Sequence, residues 1–538
     1  MTSQTVYQRF AETAARRSDA PFLHVLDETA EAYGIPAGDI SYADMLQAVE
    51  NWISRLSAAG YREGHRVGLL LQNRPVFMEI WLALNALGAS VVPINPDLRM
   101  AELEYLIAHS EMVLAIVTPD RLDEVRQASV NTGRLIGVVT PDNPLPALPN
   151  AEISGSVAPD SQRECALLYT SGTTGQPKGC ILSNEYFLHS GDWYAGAGGL
   201  IDLRRDAERM LTPLPLFHMN ALAASTMAMI TTGGCLIFLD RFHPRSWWDS
   251  VRKSAATVVH YLGVMPAMLM NAEPSPSDRD HTVRFGFGAG VDKTLHAAFE
   301  DRYGFPLIEA WACTETGNGG VICASEEPRK IGSACFGRPA AEVSVRLVDD
   351  AGADVQTGTP GELLVRRSGD NPRYGFFSGY LKNPEATDEI WRDGWLHTGD
   401  IVSRDQDGSL HFVDRKKNVI RRSGENIAAV EVEEILNRHP NIKMAAVAAA
   451  PDDIRGDEVA AFVILRQGGG GADTANAIVD WALEQMAYYK VPGWLAFVSE
   501  LPLTATQKVL RGHLKTLLEE RFEAGDFIDT RHRKKRKI

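Results

Sequence analysis

Between Val67 and Val117, short apolar runs alternate with helical stretches, and this alternation limits the possible folds more than any other feature of the chain. Val67 to Leu71 is apolar, Pro75 opens a helical stretch ending near Leu87 and Gly88, and Ser90 to Ile94 is apolar again. The helical stretch Ala101 to Ser110 and the run VLAIV from Val113 repeat the pattern. Strands that are apolar on both faces need helices on both sides, so the segment predicts βαβ units in a parallel, helix-covered sheet and an α/β fold class. A Pro-rich stretch, Thr140 to Asn150, reads as a surface connection. A chain of 538 residues exceeds one ordinary domain, so further units are expected downstream.

VSVRLVD and GELLVRR alternate in character and are separated by Gly, Asp and Pro turns, which predicts antiparallel strands in a small β-rich subdomain over about 340–415. From Asn418 the order strand (NVIRR), helix (Ala428 to Arg438), strand (KMAAVAA), strand (VAAFVIL), helix (Ala475 to Met486) and strand (WLAFV) predicts a small α+β C-terminal domain. The expected organisation is a large N-terminal domain over 1–415, the small domain over 416–530 and a basic tail over 531–538.

Composition narrows the function classes. Apolar residues make up 45% and charged residues 23%, enough for a large core and unlike a disordered chain. The net charge of −15 disfavours phosphate neutralisation, so no nucleic-acid partner is expected. Only the tail runs the other way, with Arg531, Arg533, Lys534, Lys535, Arg536 and Lys537, and it reads as a solvated, disordered terminus. The six cysteines form no C-x-x-C pair and the N-terminal residues lack a secretory pattern, which fits a reducing, cytoplasmic setting. Ala221 to Leu239 is uncharged, but its Ser, Thr and paired Gly residues read as a buried helix, a turn and a strand, so no transmembrane segment is expected. No motif sets the oligomeric state, and a homodimer is one compatible arrangement.

The densest chemical signal is TSGTTGQPKG, from Thr170 to Gly179, preceded by the apolar run ALLY. Three glycines let backbone N–H groups converge on phosphate oxygens, four hydroxyls add donors, and Lys178 adds positive charge. The GKS or GKT ending of the Walker loop is absent, so the segment is a phosphate loop of another kind.

This run resembles the signature of the adenylate-forming superfamily, which comprises the acyl-CoA synthetases, luciferases and peptide-synthetase adenylation domains. Leu214 through Trp248 to Met270, and FVDRKKNVIRRSGENI, are most similar to its carnitine and crotonobetaine CoA ligase branch. The resemblance assigns Thr170, Ser171, Gly172, Thr173, Thr174 and Lys178 to the nucleotide phosphates. It places Trp311, Ala312 and Cys313 beside the adenine, Thr314 on the α-phosphate and Glu315 on Mg²⁺; a hard cation bridging phosphates suits that carboxylate. Trp311 and Ala312 replace the usual Tyr and Gly, which implies that the aromatic platform is kept without the phenolic hydroxyl. Asp400, in WLHTGD, and Arg415 would hold the ribose, Lys417 would be the hinge, and Gly424 would lie on the pantetheine path. His218, in PLPLFHMNA, would sit near the reacting carboxylate, and Gly288, Ala289 and Gly290 would floor the adenine and acyl sites. Lys508, in LPLTATQK, would be the catalytic lysine of the first half-reaction, with Gln507 where Gly is usual.

The resemblance implies an ATP-dependent, AMP-forming acid:CoA ligase that uses ATP, Mg²⁺ and coenzyme A and alternates two positions of a mobile small domain. The acid would be carnitine-like, or a short-chain, medium-chain or aryl acid. No carrier-protein segment follows Lys508, which favours free coenzyme A as acceptor. An adenylate-forming enzyme that delivers to a carrier protein is the alternative, and a non-catalytic nucleotide-binding regulator is the alternative of another class.

Overall fold

The computed structural model describes residues 4–148, 160–170, 176–349, 351–415, 419–502 and 511–535; of residues 414, 415, 419, 426, 428, 430 and 511–513 it describes the backbone alone. Pro75 starts the helix Pro75–Ala86, where its fixed φ suits a first helical turn and its missing N–H costs nothing. Phe77, Met78, Ile80, Trp81 and Leu82 are all buried, so this helix lies between layers rather than on a surface. It connects two neighbours of a seven-stranded sheet with the order Gly379–Tyr380, Lys178–Ser183, Glu164–Thr170, Ser90–Pro93, Arg66–Leu70, Leu114–Val117, Gly137–Val139. Val67 pairs with Val91 on one side and with Leu114 on the other, both parallel, as the alternation requires.

A second sheet of eight strands has six parallel members, Leu307–Trp311, Phe285–Ala289, Val258–Leu262, Arg209–Thr212, Cys235–Phe238 and Pro21–Val25. Antiparallel strands Ile322–Cys323 and Gly38–Ser41 close its edges. The uncharged stretch after Asn220 forms a π-helical turn to Ser225, a helix Thr226–Thr232, a turn with Gly233 at φ +77° and the strand Cys235–Phe238. Among the described residues no helix is long and apolar enough to cross a membrane. The alternating segments build a third, antiparallel sheet, Cys335–Gly337, Leu410–Arg415, Trp395–Arg404, Gly361–Arg367 and Val343–Val348, in which Val345 faces Val365 and Val365 faces Leu396.

The chain divides into two units, one of Met1–Pro96, Ile107–Leu168 and Gly179–Asp414, the other of Asp97–Leu106, Tyr169–Lys178 and Arg415–Ile538. The second unit has its own core, with Ile420, Ile427, Val432, Val447, Val459 and Leu495 buried around the long strand pair Ile442–Asp452 and Gly456–Leu465. Its buried Lys490 lies 2.6 Å from Glu102 Oε1 and 2.7 Å from Glu431 Oε1, which ties the segment Asp97–Leu106 into it. The basic tail departs from expectation: Arg531–Arg533 forms a turn and Lys534 is completely buried. Its cations find Asp452, Asp529, Asp480 and Glu458, partners that a count of charges cannot reveal.

Candidate active site

In parallel α/β sheets, ligands bind at the carboxyl ends of the strands, and the strand Leu307–Trp311 ends on the first candidate residue. The Trp311 indole N–H donates to Asp400 Oδ2 at 2.8 Å, and both side chains are buried. Asp400 is oriented from its own strand as well, because its backbone N–H donates to Thr398 Oγ1 at 3.0 Å. An indole donor therefore stands where the sequence predicts only a bare aromatic platform.

After Trp311 the chain turns through Ala312 and Cys313, with the Cys313 N–H on Thr316 Oγ1 at 3.0 Å and the Gly317 N–H on the Cys313 carbonyl at 2.9 Å. This turn presents Thr314 and Glu315, and two tyrosines fix it. The Tyr186 hydroxyl donates to the Thr314 carbonyl at 3.0 Å, and the Tyr380 hydroxyl donates to Glu315 Oε1 at 2.7 Å. Burial and the Glu315 carboxylate both raise the Tyr380 phenol above its ordinary pKa, so it remains a donor. Tyr380 pairs with Cys180 across the edge of the seven-stranded sheet, and the Cys180 thiol reaches Glu315 Oε1 at 3.8 Å. Glu315 is thereby held against the strand Lys178–Ser183 that follows the phosphate loop.

Gly288 and Ala289 end the strand Phe285–Ala289, and Gly290 follows at φ +79°. The turn hangs on buried Glu309 of the adjacent strand, whose oxygens accept the Gly290 N–H at 3.0 Å and the Val291 N–H at 2.7 Å. Space is tight: a Cβ on Gly288 would lie 2.2 Å from the Tyr261 carbonyl oxygen, and one on Gly263 would lie 1.6 Å from that of Gly290.

His218 follows Phe217, and its carbonyl accepts the Leu222 N–H at 3.1 Å just ahead of the π-helical turn Asn220–Ser225. Asn220, two residues on, is held from beneath by His260. Burial pushes His260 down to about 3, so its ring is neutral and carries one N–H. Because Asn220 Oδ1, 2.7 Å away, can only accept, Nδ1 bears the proton and Nε2 accepts from the Tyr194 hydroxyl at 3.1 Å. The strand Val258–Leu262 thus backs both the His218 segment, through His260, and the glycine turn, through Tyr261.

In the second unit, Gly424 stands exposed at φ +91° in the turn between the strands Val419–Arg422 and Glu425–Ala428. Thr170 closes the strand Glu164–Thr170, Lys178 opens the strand Lys178–Ser183, and Arg415 ends the strand Leu410–Arg415. Ser171, Gly172, Thr173, Thr174, Lys417 and Lys508 lie outside the described residues.

Residues 10–381 match the AMP-binding enzyme family and residues 431–508 its C-terminal domain. The chain belongs to the AMP-binding enzyme family. It is 30% identical over 504 residues to the crotonobetaine/carnitine–CoA ligase of Escherichia coli O45:K1, covering 90% of this chain and 95% of that one. The corresponding ligase of Salmonella paratyphi A is 29% identical over 515 residues, covering 91% and 98%. Among solved structures, a double mutant of o-succinylbenzoate CoA synthetase from Bacillus subtilis has a TM-score of 0.80 at 22% identity, covering 95% and 98%. The amide bond synthetase McbA from Marinactinospora thermotolerans has a TM-score of 0.77 at 23% identity, covering 96% and 99%. These two establish the shared fold.

In this AMP-binding enzyme the motif residues Trp311 and Asp400 meet directly, and Thr314 and Glu315 share one turn. Tyr380 and Tyr186 support that turn, Glu309 holds the Gly290 turn and His260 holds Asn220, and sequence reading gives none of the four a role. Their only signal is three-dimensional: Tyr380 is 65 residues from Glu315, and His260 is 40 from Asn220.

Proposed function

We propose that this AMP-binding enzyme is an ATP-dependent, AMP-forming acid:CoA ligase acting on a carnitine-like, short- or medium-chain, or aryl carboxylic acid in a reducing, cytoplasmic setting. The supporting observation is the convergence of the Trp311–Asp400 pair with the Thr314–Glu315 turn held by Tyr380. A nucleotide fits it: an aromatic wall, a buried carboxylate for ribose hydroxyls, and a hydroxyl and a carboxylate for the phosphate end. The carnitine-like option is supported by the crotonobetaine/carnitine–CoA ligases to which the chain is about 30% identical.

In the first half-reaction a carboxylate oxygen of the acid attacks the α-phosphorus of ATP, the bond to the bridging oxygen breaks, and pyrophosphate leaves. By the family resemblance, Thr314, the loop Thr170 to Lys178 and Lys508 would supply positive charge and N–H or O–H donors where negative charge builds up, which is positioning plus electrostatic catalysis. Glu315 would hold Mg²⁺, whose contribution when bound is to neutralise phosphate charge. One carboxylate fits that ion, because Mg²⁺ is commonly held by one or two carboxylates together with substrate phosphates and water. Among the described residues no cluster of three His, Cys, Asp or Glu side chains forms a cage. In the second half-reaction the thiol of coenzyme A attacks the acyl carbon, the bond to AMP breaks, and AMP leaves. Gly424 would border the path of the pantetheine arm, where a side chain would obstruct it.

The test is pyrophosphate release, with and without coenzyme A, across betaines, short-chain, medium-chain and aryl acids. Acid- and CoA-dependent turnover with AMP as product is expected; ADP formation, or no turnover with any acid, would overturn the reading. Acid-dependent exchange of pyrophosphate into ATP that coenzyme A fails to convert into thioester would instead indicate another acceptor, such as a carrier protein. Lys508→Ala should slow adenylation by about a hundredfold or more and leave thioester formation from supplied acyl-adenylate largely intact. Gly424→Leu should show the opposite division.

A further inference from the structure

Two of the cations after Thr530, Arg531 and Lys534, lead to Arg422 and Ser423, the two residues that precede Gly424. One route is buried. Lys534, completely buried, pairs with Glu458 Oε1, and the other oxygen of that buried carboxylate lies 2.8 Å from Arg422 Nε. Arg422 is the last residue of the strand Val419–Arg422 and faces Glu425 across the turn. Gly493 makes room for this arrangement, since a Cβ there would lie 2.5 Å from the Glu458 carboxyl carbon.

The second route runs closer to the surface. Arg531 stacks over Trp494 at 4.2 Å and lies 3.2 Å from Asp452 Oδ2. The other Asp452 oxygen accepts the backbone N–H groups of Ile454 and Arg455, at 3.0 and 2.9 Å, and so shapes the loop before Gly456. From that loop the Arg455 carbonyl accepts the Ser423 N–H at 2.9 Å. Ser423 has φ +50° and Gly424 φ +91°, a turn in which two successive residues hold left-handed backbone and outside support has the most to stabilise. The segment itself is pinned by Arg533 Nε on Asp480 Oδ1 at 2.7 Å and by the Thr530 N–H on the Gly493 carbonyl at 2.9 Å.

We propose that Arg531–Lys534 is a strap that positions the Ser423–Gly424 turn for acyl transfer to the thiol, acting through Glu458 and Arg422 on one side and through Asp452 and Ser423 on the other. The role rests on the reading that Gly424 borders the pantetheine path. It concerns the second half-reaction alone, so its signature is a separation of the two halves.

The test uses the full chain with Lys534→Met, the full chain with Arg531→Gln, and the chain truncated after Thr530. Pyrophosphate exchange should stay within twofold of wild type in all three, which also certifies that the small unit is folded, because that step needs Lys508. The KM for coenzyme A should rise five- to twentyfold with the KM values for acid and ATP unchanged, and hydrogen exchange of the amides at 419–428 should accelerate. Unchanged amide exchange and unchanged KM for coenzyme A, in variants that keep pyrophosphate exchange, would overturn the strap, as would equal loss of both half-reactions. The underlying reading fails separately: if Gly424→Leu leaves thioester formation intact, the turn has no part in transfer, whatever the strap does to its amides.

Discussion

Trp311 shows how one substitution can move a hydrogen bond instead of removing it. Read as a residue, it offers a ring and lacks the phenol; in the fold its N–H reaches the carboxylate assigned to the ribose, 89 residues away. Trp311→Phe keeps the ring and deletes the donor to a buried carboxylate, a bond worth about 1.5–3 kcal/mol. The KM for ATP should rise about tenfold in pyrophosphate exchange while the KM for the acid stays put; an equal rise in both would mean that the ring's packing, and not its N–H, matters. Trp311, Thr314, Glu315 and Asp400 are legible in the chain because each sits in a short run of fixed spacing. Tyr380 and His260 are not, because a lone Tyr or His has no meaning until its partner is placed beside it. Lys534 was actively misleading: in a run of cations its neighbours suggest solvent, whereas its burial depends on Glu458, 76 residues earlier.

Strands and helices were more legible than the contacts between them. The βαβ alternation from Val67 predicts elements that the structure places within a residue or two, since both faces of those strands are covered and the apolar pattern has no competitor. The strand Glu425–Ala428 escaped because Ser423, Gly424, Glu425 and Asn426 carry turn chemistry, and pairing with Val419–Arg422 overrides it. The strand Phe285–Ala289 is demanding in another way. Its Gly288 passes so close to the neighbouring backbone that a methyl group meets a carbonyl oxygen, which cannot rotate away as a side chain would. Gly288→Ala should therefore separate the strand ends, lower the melting temperature by several degrees, for a loss on the order of 2–3 kcal/mol, and raise the KM values for ATP and acid together. A variant that melts like wild type would show that the sheet accommodates the methyl group.

For the molecule as a whole, His260 links acidity to stability with a definite sign. Its ordinary value is 6.5 and burial lowers it to about 3, so between those values the unfolded chain binds a proton that the folded chain refuses. Stability is retained above pH 6.5 and is lost as the pH falls toward 3. The loss reaches on the order of 3 kcal/mol by pH 4, and His260→Gln should flatten that part of the profile in thermal melts recorded from pH 7 to 4; parallel profiles would remove His260 as the cause. A different consequence follows from Lys490, whose two carboxylates come from distant stretches of chain, Glu102 and Glu431. Anyone recombining this enzyme with a relative would cut after Asp414, where the sequence passes into the second unit. Such a chimera inherits its buried lysine from one parent and one of the balancing carboxylates from the other. Position 102 therefore has to travel with the C-terminal half, although 312 residues separate it from the cut.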